Sequence, residues 1–201
     1  MKLQKKLPRK FYTRDVHIVA KELLGKFLVR KIRRKYLIGK IVEVEAYDGS
    51  VDKAAHTYGG KTKRNEVMFN KGGFLYVYFT YGMHFCSNVV AGKLNEGKAV
   101  LLRAVEPFNG LDKMALNRFG KKNISAAELK NLTNGPAKIC QAFGIVRSEN
   151  GTDLTGNEIF LLDSPKLSEN KIAASARIGI KKSVDLPWRY YIKNNSFLSR
   201  K

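Results

Sequence analysis

The sequence predicts an α+β fold. A single domain, 1–201, is expected, with a curved, mostly antiparallel sheet, surrounding helices and a protruding β-hairpin. Three observations lead there. Strand-like segments precede and follow a run of helix-like ones, an order that suits helices packed on one antiparallel sheet. Hydrophobic residues make up 44% of the 201, which allows a real core and argues against global disorder. No internal repeat, low-complexity tract or obvious linker divides the chain.

The elements follow in order. Asp15 is placed to cap a helix carrying Val16, Val19, Leu23 and Leu24, with Gly25 as its stop. Phe27–Ile32 reads as a strand, and Arg33, Arg34 and Lys35 form a basic turn into a longer strand over 36–47. Residues 48–71, rich in glycine and charge, read as loop. The stretch GFLYVYFTYGM, 73–83, reads as a strand with a sharp turn at Gly82 and a returning strand behind it. Residues 99–105 form another apolar strand, closed by Pro107. Helices are expected over Leu111–Phe119, 125–132 and Pro136–Phe143. Gly120 and Gly144 stand at two of their ends, and Pro136 suits a first helical position. Strand-like text returns at 176–180 and Arg189–Ile192.

Lys plus Arg total 38 against 17 acids, a net charge of +21 with a pI near 10.0. A charge that large concerns partners rather than fold. It points to a polyanion: DNA, RNA or an acidic membrane surface. Membrane binding would need a basic amphipathic helix or a spanning segment, and no apolar run of roughly 18 residues is present. The start, MKLQKKLPRK, is charged, but no apolar signal core follows it. Cys86 and Cys140 are too few for a disulfide scaffold and sit among apolar neighbours. They read as buried free thiols in a reducing compartment.

Several motifs carry competing readings. AHTYGGKT, 55–62, fits a loose phosphate-loop pattern with Ala in first place, but such a loop needs a strand before it and a helix after it. Here VDKA precedes and KRNE follows. Lys61 and Arg64 more naturally touch a nucleic-acid backbone or sit in solvent. His17, His56 and His84 lack the paired spacing of a zinc site, so no metal is expected. In IVEVEAY, 41–47, alternation puts Glu43, Glu45 and Tyr47 on one face and Val42, Val44 and Ala46 on the other. One reading is a half-exposed strand with its acids in water. The other starts from a polyanion partner: a carboxylate facing DNA repels phosphate, so its presence calls for a chemical reason. That reason is to stabilise a cationic sugar or activate water. In the hairpin, alternation separates Phe74, Tyr76 and Tyr78 from Leu75, Val77, Phe79 and Tyr81. A core strand explains most of these rings. Tyr81, beside Gly82 at the turn, has little core to cover it, and an exposed ring on a basic protein is suited to wedge into a base stack.

Together these stretches resemble the alkyladenine, or 3-methyladenine, DNA glycosylases. The matching text is IVEVEAY, AAH, GGKTKRN, MF, LYVYFTYGMHFCSNV, VLLRAVEP, NGPAKICQAFGI and ARIGI, spread from Asp15 to Ile192. Lys63 departs from it, standing where many relatives have proline. The resemblance implies an enzyme that flips alkylated or deaminated purines (3-methyladenine, 7-methylguanine, hypoxanthine, ethenoadenine) from duplex DNA and hydrolyses the glycosidic bond. Glu45 would hold and activate water. Tyr47 and His56 would flank the base, with Tyr78 closing the other face. Asn88 would test the purine edge, and the backbone of Ile178 would meet the base. Tyr81 would fill the gap in the duplex, with Met83 and Arg103 contacting DNA near it. No cofactor is expected, and the protein would act as a monomer, in the cytoplasm or on the nucleoid of a bacterium. An alkylated purine is cationic or electron-poor and leaves readily, so one carboxylate can suffice where sugar hydrolases commonly use two. Aromatic walls favour such a ring by stacking and cation–π attraction. Nothing marks a lysine as a Schiff-base nucleophile. A non-catalytic DNA- or RNA-binding protein would share the charge and the aromatics, but not the combination of Glu45, Tyr47, His56 and Asn88.

Overall fold

A computed structural model describes residues 5–80 and 82–200. Its elements are α1 (Arg9–Tyr12), α2 (Val16–Leu23), β1 (Phe27–Ile32), β2 (Lys35–Asp48), a 3-10 turn at Glu66–Phe69, β3 (Leu75–Thr80), β4 (His84–Ala91), β5 (Lys98–Asn109), α3 (Leu111–Phe119), α4 (Ala126–Asn131), α5 (Pro136–Phe143), β6 (Ile159–Leu162), β7 (Ile172–Ser175) and β8 (Arg189–Ile192). The strands form one sheet in the order β3-β4-β5-β2-β1-β6, and β8 joins β2 to β7. Every pairing is antiparallel.

Local chemistry sets most boundaries. The Asp15 carboxylate accepts from the His17 and Ile18 amides at 2.9 and 3.2 Å, satisfying two donors at the start of α2. Ser125 and Glu128 form a reciprocal capping box on α4. Gly120 and Gly144 take left-handed φ of 70° and 65° beyond α3 and α5. β5 continues past Pro107 to Asn109, because the β2–β5 ladder shifts register between Ile38 and Gly39 and a bulge tolerates a missing amide donor.

β2 organises the sheet. Its first half pairs with β1 through Lys40, and its second half pairs with β8 from Glu43 to Glu45, while β5 runs along its other edge. At that handover the β2–β5 register shifts twice, on either side of Glu43, leaving Val42 and Arg103 without a Cα partner. Bulges bend and twist a strand and re-aim side chains. Here they curve the sheet and send Arg103 inward.

Most of the core lies on the face of the sheet covered by α2, α3 and α5, where Leu75, Val77, Leu102, Ile139 and Phe143 meet. A smaller apolar cluster gathers Tyr76, Val67, Met68, Val90 and Ala99, with Phe74 and Tyr78 packed against it. The alternation expected in β3 therefore holds, and its two faces serve two clusters. Cys86 and Cys140 are buried free thiols, and burial pushes the Cys140 thiol up to about 12.

Residues 176–180, expected as a strand, are not one; the strand there is β7, four residues earlier in its start. Two commitments break the ladder. The Arg177 guanidinium is drawn into a buried pair with Asp52, bonded through Nη2 at 2.8 Å and also through Nη1, and it donates to the Ala46 carbonyl at 3.0 Å. Gly179 then turns with a φ of 79°. The strand β6 and the short helix α1 carried no clear signal in the sequence.

Both side chains of the Asp52–Arg177 pair are 0% exposed. Burial alone would lower the Arg177 guanidinium, but the bonds and charge of Asp52 outweigh it and hold it above its ordinary value. Removing one partner leaves an uncompensated buried charge. Asp52→Ala is expected to cost roughly 3–5 kcal/mol of stability, read as a lowered urea midpoint. A loss within experimental error would show that solvent reaches Arg177 after all.

Candidate active site

The second half of β2 carries Glu45 and Tyr47. The expected shared face of Glu43, Glu45 and Tyr47 is present, but it does not look into water: both glutamates are 0% exposed. β8 and the 176–183 loop cover this part of the strand. The Glu45 carboxylate is held through both of its oxygens. Its Oε1 accepts from the Ile178 amide at 2.7 Å and lies 3.3 Å from Nη1 of Arg103, and its Oε2 accepts from the Tyr47 hydroxyl at 2.9 Å. An ionised carboxylate has about four lone-pair sites. Two are taken by hydrogen bonds and a third faces the Arg103 guanidinium, which leaves one for a water or a reacting group.

A cleft of about 630 Å³ opens beside this carboxylate, lined by its three partners Tyr47, Arg103 and Ile178 and by His56, Tyr76, Tyr78 and Asn88 among others, with Glu45 itself buried behind that lining. One wall is aromatic. The His56 and Tyr78 rings stand edge to face with centroids 4.6 Å apart, and Tyr76 and Tyr78 stack at 5.6 Å and 25°. Nδ1 of His56 is 3.1 Å from the Tyr76 hydroxyl. Burial, and then the nearby Arg64 charge, lower the His56 pKa below its ordinary value, so the ring is neutral at pH 7. Burial raises the Tyr47 phenol far above its usual range, reinforced by the Glu45 charge. That phenol stays a donor to Glu45. Asn88 is 5% exposed, and its Nδ2 donates to the Tyr76 carbonyl at 3.2 Å, which fixes the amide's rotation.

The remaining expected residues are dispersed. Met83 is 69% exposed at the hairpin end, near an exposed Phe79. Tyr81 lies outside the described residues. Arg64 lines the cleft mouth, with its guanidinium 5.9 Å from the Tyr78 ring centroid. Lys61 is exposed and lines no part of the cleft. Arg103 was expected at the DNA surface beside the hairpin. It is only 7% exposed and sits between Glu43 and Glu45, because its bulge turns it inward. Lys63 is exposed on a loop fastened from within by Asn65, whose amide bonds the His56 and Gly60 carbonyls and the Thr62 amide at 2.7–2.9 Å.

Sequence reasoning missed Tyr76, Asp52 and Arg177. Tyr76 shares a face with Tyr78 by alternation, which could have paired the two. Asp52 and Arg177 are far apart in sequence and show no local sign of each other. Among the described residues no group of three or more His, Cys, Asp or Glu side chains is gathered to hold a metal ion. A larger groove, about 880 Å³, runs between the β1–β2 turn and α3. It is lined by aliphatic side chains and by Arg33, Arg34, Lys35, Lys113 and Lys122, with Asp112 its lone acid. It has no harnessed carboxylate or aromatic wall, so the smaller cleft is the candidate site.

A planar aromatic ring can stack on such a wall, and a buried carboxylate with one open lone pair can hold water or face a developing positive charge. The chain matches the family model described as methylpurine-DNA glycosylase over residues 10–196. Among its relatives, a protein of Carboxydothermus hydrogenoformans is 50% identical over 196 residues, covering 97% of this chain and 99% of its own. One of Clostridium novyi is 47% identical over 98% of this chain and its whole length. One of Alkaliphilus oremlandii is 45% identical with the same coverage. All three bear the name "Putative 3-methyladenine DNA glycosylase".

Titration of His56 tests the cleft's electrostatics. Its NMR titration should fall below the ordinary 6.5. Arg64→Ala should raise the midpoint while leaving it under that value, since burial is the larger cause. The folded ring binds protons less readily than the unfolded one, so its contribution to stability is present above about pH 6.5 and is lost as the pH falls. A midpoint at or above 6.5 in the parent protein would contradict the burial seen here.

Proposed function

Since the chain belongs to the methylpurine-DNA glycosylase family and is a DNA glycosylase, we propose that Glu45 is its catalytic residue and that the 630 Å³ cleft receives a purine flipped out of duplex DNA. The observation that carries this is the buried Glu45 carboxylate, held by Tyr47, Ile178 and Arg103, which all line the aromatic cleft, and left with one lone pair uncommitted. In this reading that lone pair accepts a proton of the attacking water. The water oxygen bonds to the sugar C1′, the C1′–N bond breaks, and its electron pair leaves with the base. The His56 and Tyr78 rings, which touch each other at 4.6 Å, lie together on one side of the purine, not on opposite sides as the resemblance implied, and Tyr47 lies on the other, while Asn88 meets its edge and Ile178 lines the floor. Tyr81 fills the vacated place in the duplex, Met83 lies beside it, and Lys61 and Arg64 meet phosphates. Arg103 acts from inside the site, opposite Glu45. The chain works as one domain and as a monomer.

The electrostatics support this reading. A carboxylate opposes an approaching polyanion, yet Glu43, Glu45 and Asp52 are matched by Arg103, Arg189 and Arg177. The site is locally balanced within a protein of net charge +21. Cationic lesions, 3-methyladenine and 7-methylguanine, leave without a proton. Neutral ones, hypoxanthine and ethenoadenine, also need a donor. His56 is a poor one at pH 7, because burial keeps it unprotonated, and an ordered water is the better candidate.

The first test is a duplex holding one hypoxanthine, read by alkaline strand cleavage after single-turnover incubation. Glu45→Gln should slow base release by about 10²–10⁴-fold, the range for losing a general base, with lesion binding largely kept. Near-normal excision would remove Glu45 from the mechanism.

Asn88 should guard against guanine, whose extra amino group a fixed amide excludes by contact. Asn88→Ser is expected to extend excision toward guanine. Unchanged selectivity between hypoxanthine and guanine would place discrimination elsewhere.

A further inference from the structure

Next to Glu45, on the same face of β2, lies a second buried carboxylate with no part in the reaction just described. Glu43 is 0% exposed. Its Oε1 accepts from Nε of Arg103 at 3.2 Å, Nε of Arg189 at 2.7 Å and Oγ of Ser199 at 2.7 Å. Its Oε2 accepts from the Ser199 amide at 2.6 Å. Oγ of Ser199 also lies 3.4 and 3.3 Å from Nε and Nη2 of Arg103, and Nη2 of Arg189 donates to the Arg200 carbonyl at 2.6 Å. The last described residues of the chain are thus folded onto the arginine that faces Glu45.

The division of Arg103 matters. Its bulge leaves it without a Cα partner in the sheet, so side-chain contacts decide where the guanidinium sits. Nε is held by Glu43, while Nη1 alone approaches Glu45, at 3.3 Å, and lies 3.5 Å from the Ile178 carbonyl. An arginine released from Glu43 would be free to close on Glu45 as a two-pronged pair, the preferred geometry of guanidinium and carboxylate. That pair would take the lone pair left for water.

We propose that Glu43 is a positioning residue for base release, fastened in place by Ser199. It restrains Arg103 to a single contact with Glu45, so that one carboxylate lone pair stays open to the attacking water. The C-terminal segment is therefore part of the support of the active site. This rests on the reading of Glu45 as the general base.

The test uses the full chain and single-turnover excision of hypoxanthine from duplex DNA, with lesion affinity measured separately. Glu43→Gln keeps the volume and removes the charge. Its rate constant should fall about tenfold or more, the order expected when a charge-assisted bond at a reacting group is lost, with lesion affinity unchanged. A role in folding alone would instead lower the reaction amplitude, the fraction of active molecules, and leave the rate constant intact. Ser199→Ala keeps the backbone bond and should fall by a smaller factor, about threefold, with no further loss in the Glu43→Gln background. If Glu43→Gln does not fold, Ser199→Ala decides alone. An unchanged rate constant in the folded variants, or losses that multiply in the double variant, would overturn the proposal. Glu45→Gln measured in parallel separates the two ideas. Retained excision there sinks the reading of Glu45, whereas loss there with an unchanged Glu43→Gln sinks only the positioning role.

Discussion

Three carboxylates on or just after β2 are shut away from water, and much of the molecule is arranged around giving them partners. An unpaired buried charge is prohibitive, so each must meet a cation. The cations come from distant segments: Arg103 from β5, Arg177 from the loop after β7, and Arg189 from β8. Satisfying the acids therefore draws the last quarter of the chain onto the middle of β2. The same contacts build the floor of the cleft. The Ile178 amide reaches Glu45 because Arg177, its neighbour, is pinned to Asp52.

β3 serves the principal core with one face and the cleft wall with the other. Leu75 and Val77 enter the principal core, while Tyr76 and Tyr78 face the other way into the cleft wall. The wall inherits the rigidity of the core behind it. Rings that cannot turn away hold a stacking surface ready before any ligand arrives, which reduces the ordering cost of binding.

The wall is also tuned from behind. The Arg177 guanidinium lies 4.6 Å from the Tyr47 ring centroid and 5.3 Å from that of Trp188. The residue that closes the loop over β2 thus braces the phenol whose hydroxyl donates to Glu45. Carboxylate, ring and loop are held as one unit.

The sequence by itself determined what depends on neighbours in the chain. The Asp15 cap, the glycines after α3 and α5, the β3 alternation and the shared face of Glu43, Glu45 and Tyr47 all follow from local geometry. Most residues later found around the cleft were legible because they sit in long, ordered motifs. Tertiary structure decided the rest, for reasons no local pattern carries. Whether the acidic face of β2 meets water depends on β8 and the 176–183 loop arriving from far along the chain. The 176–180 segment has the text of a strand, but the Ile178 amide is claimed by Glu45 and the Arg177 side chain by Asp52. Arg103 reads as a surface cation, yet two register shifts between β2 and β5 turn it inward. Bulges and buried ion pairs are settled between segments, so only the folded chain could show which way that side chain points.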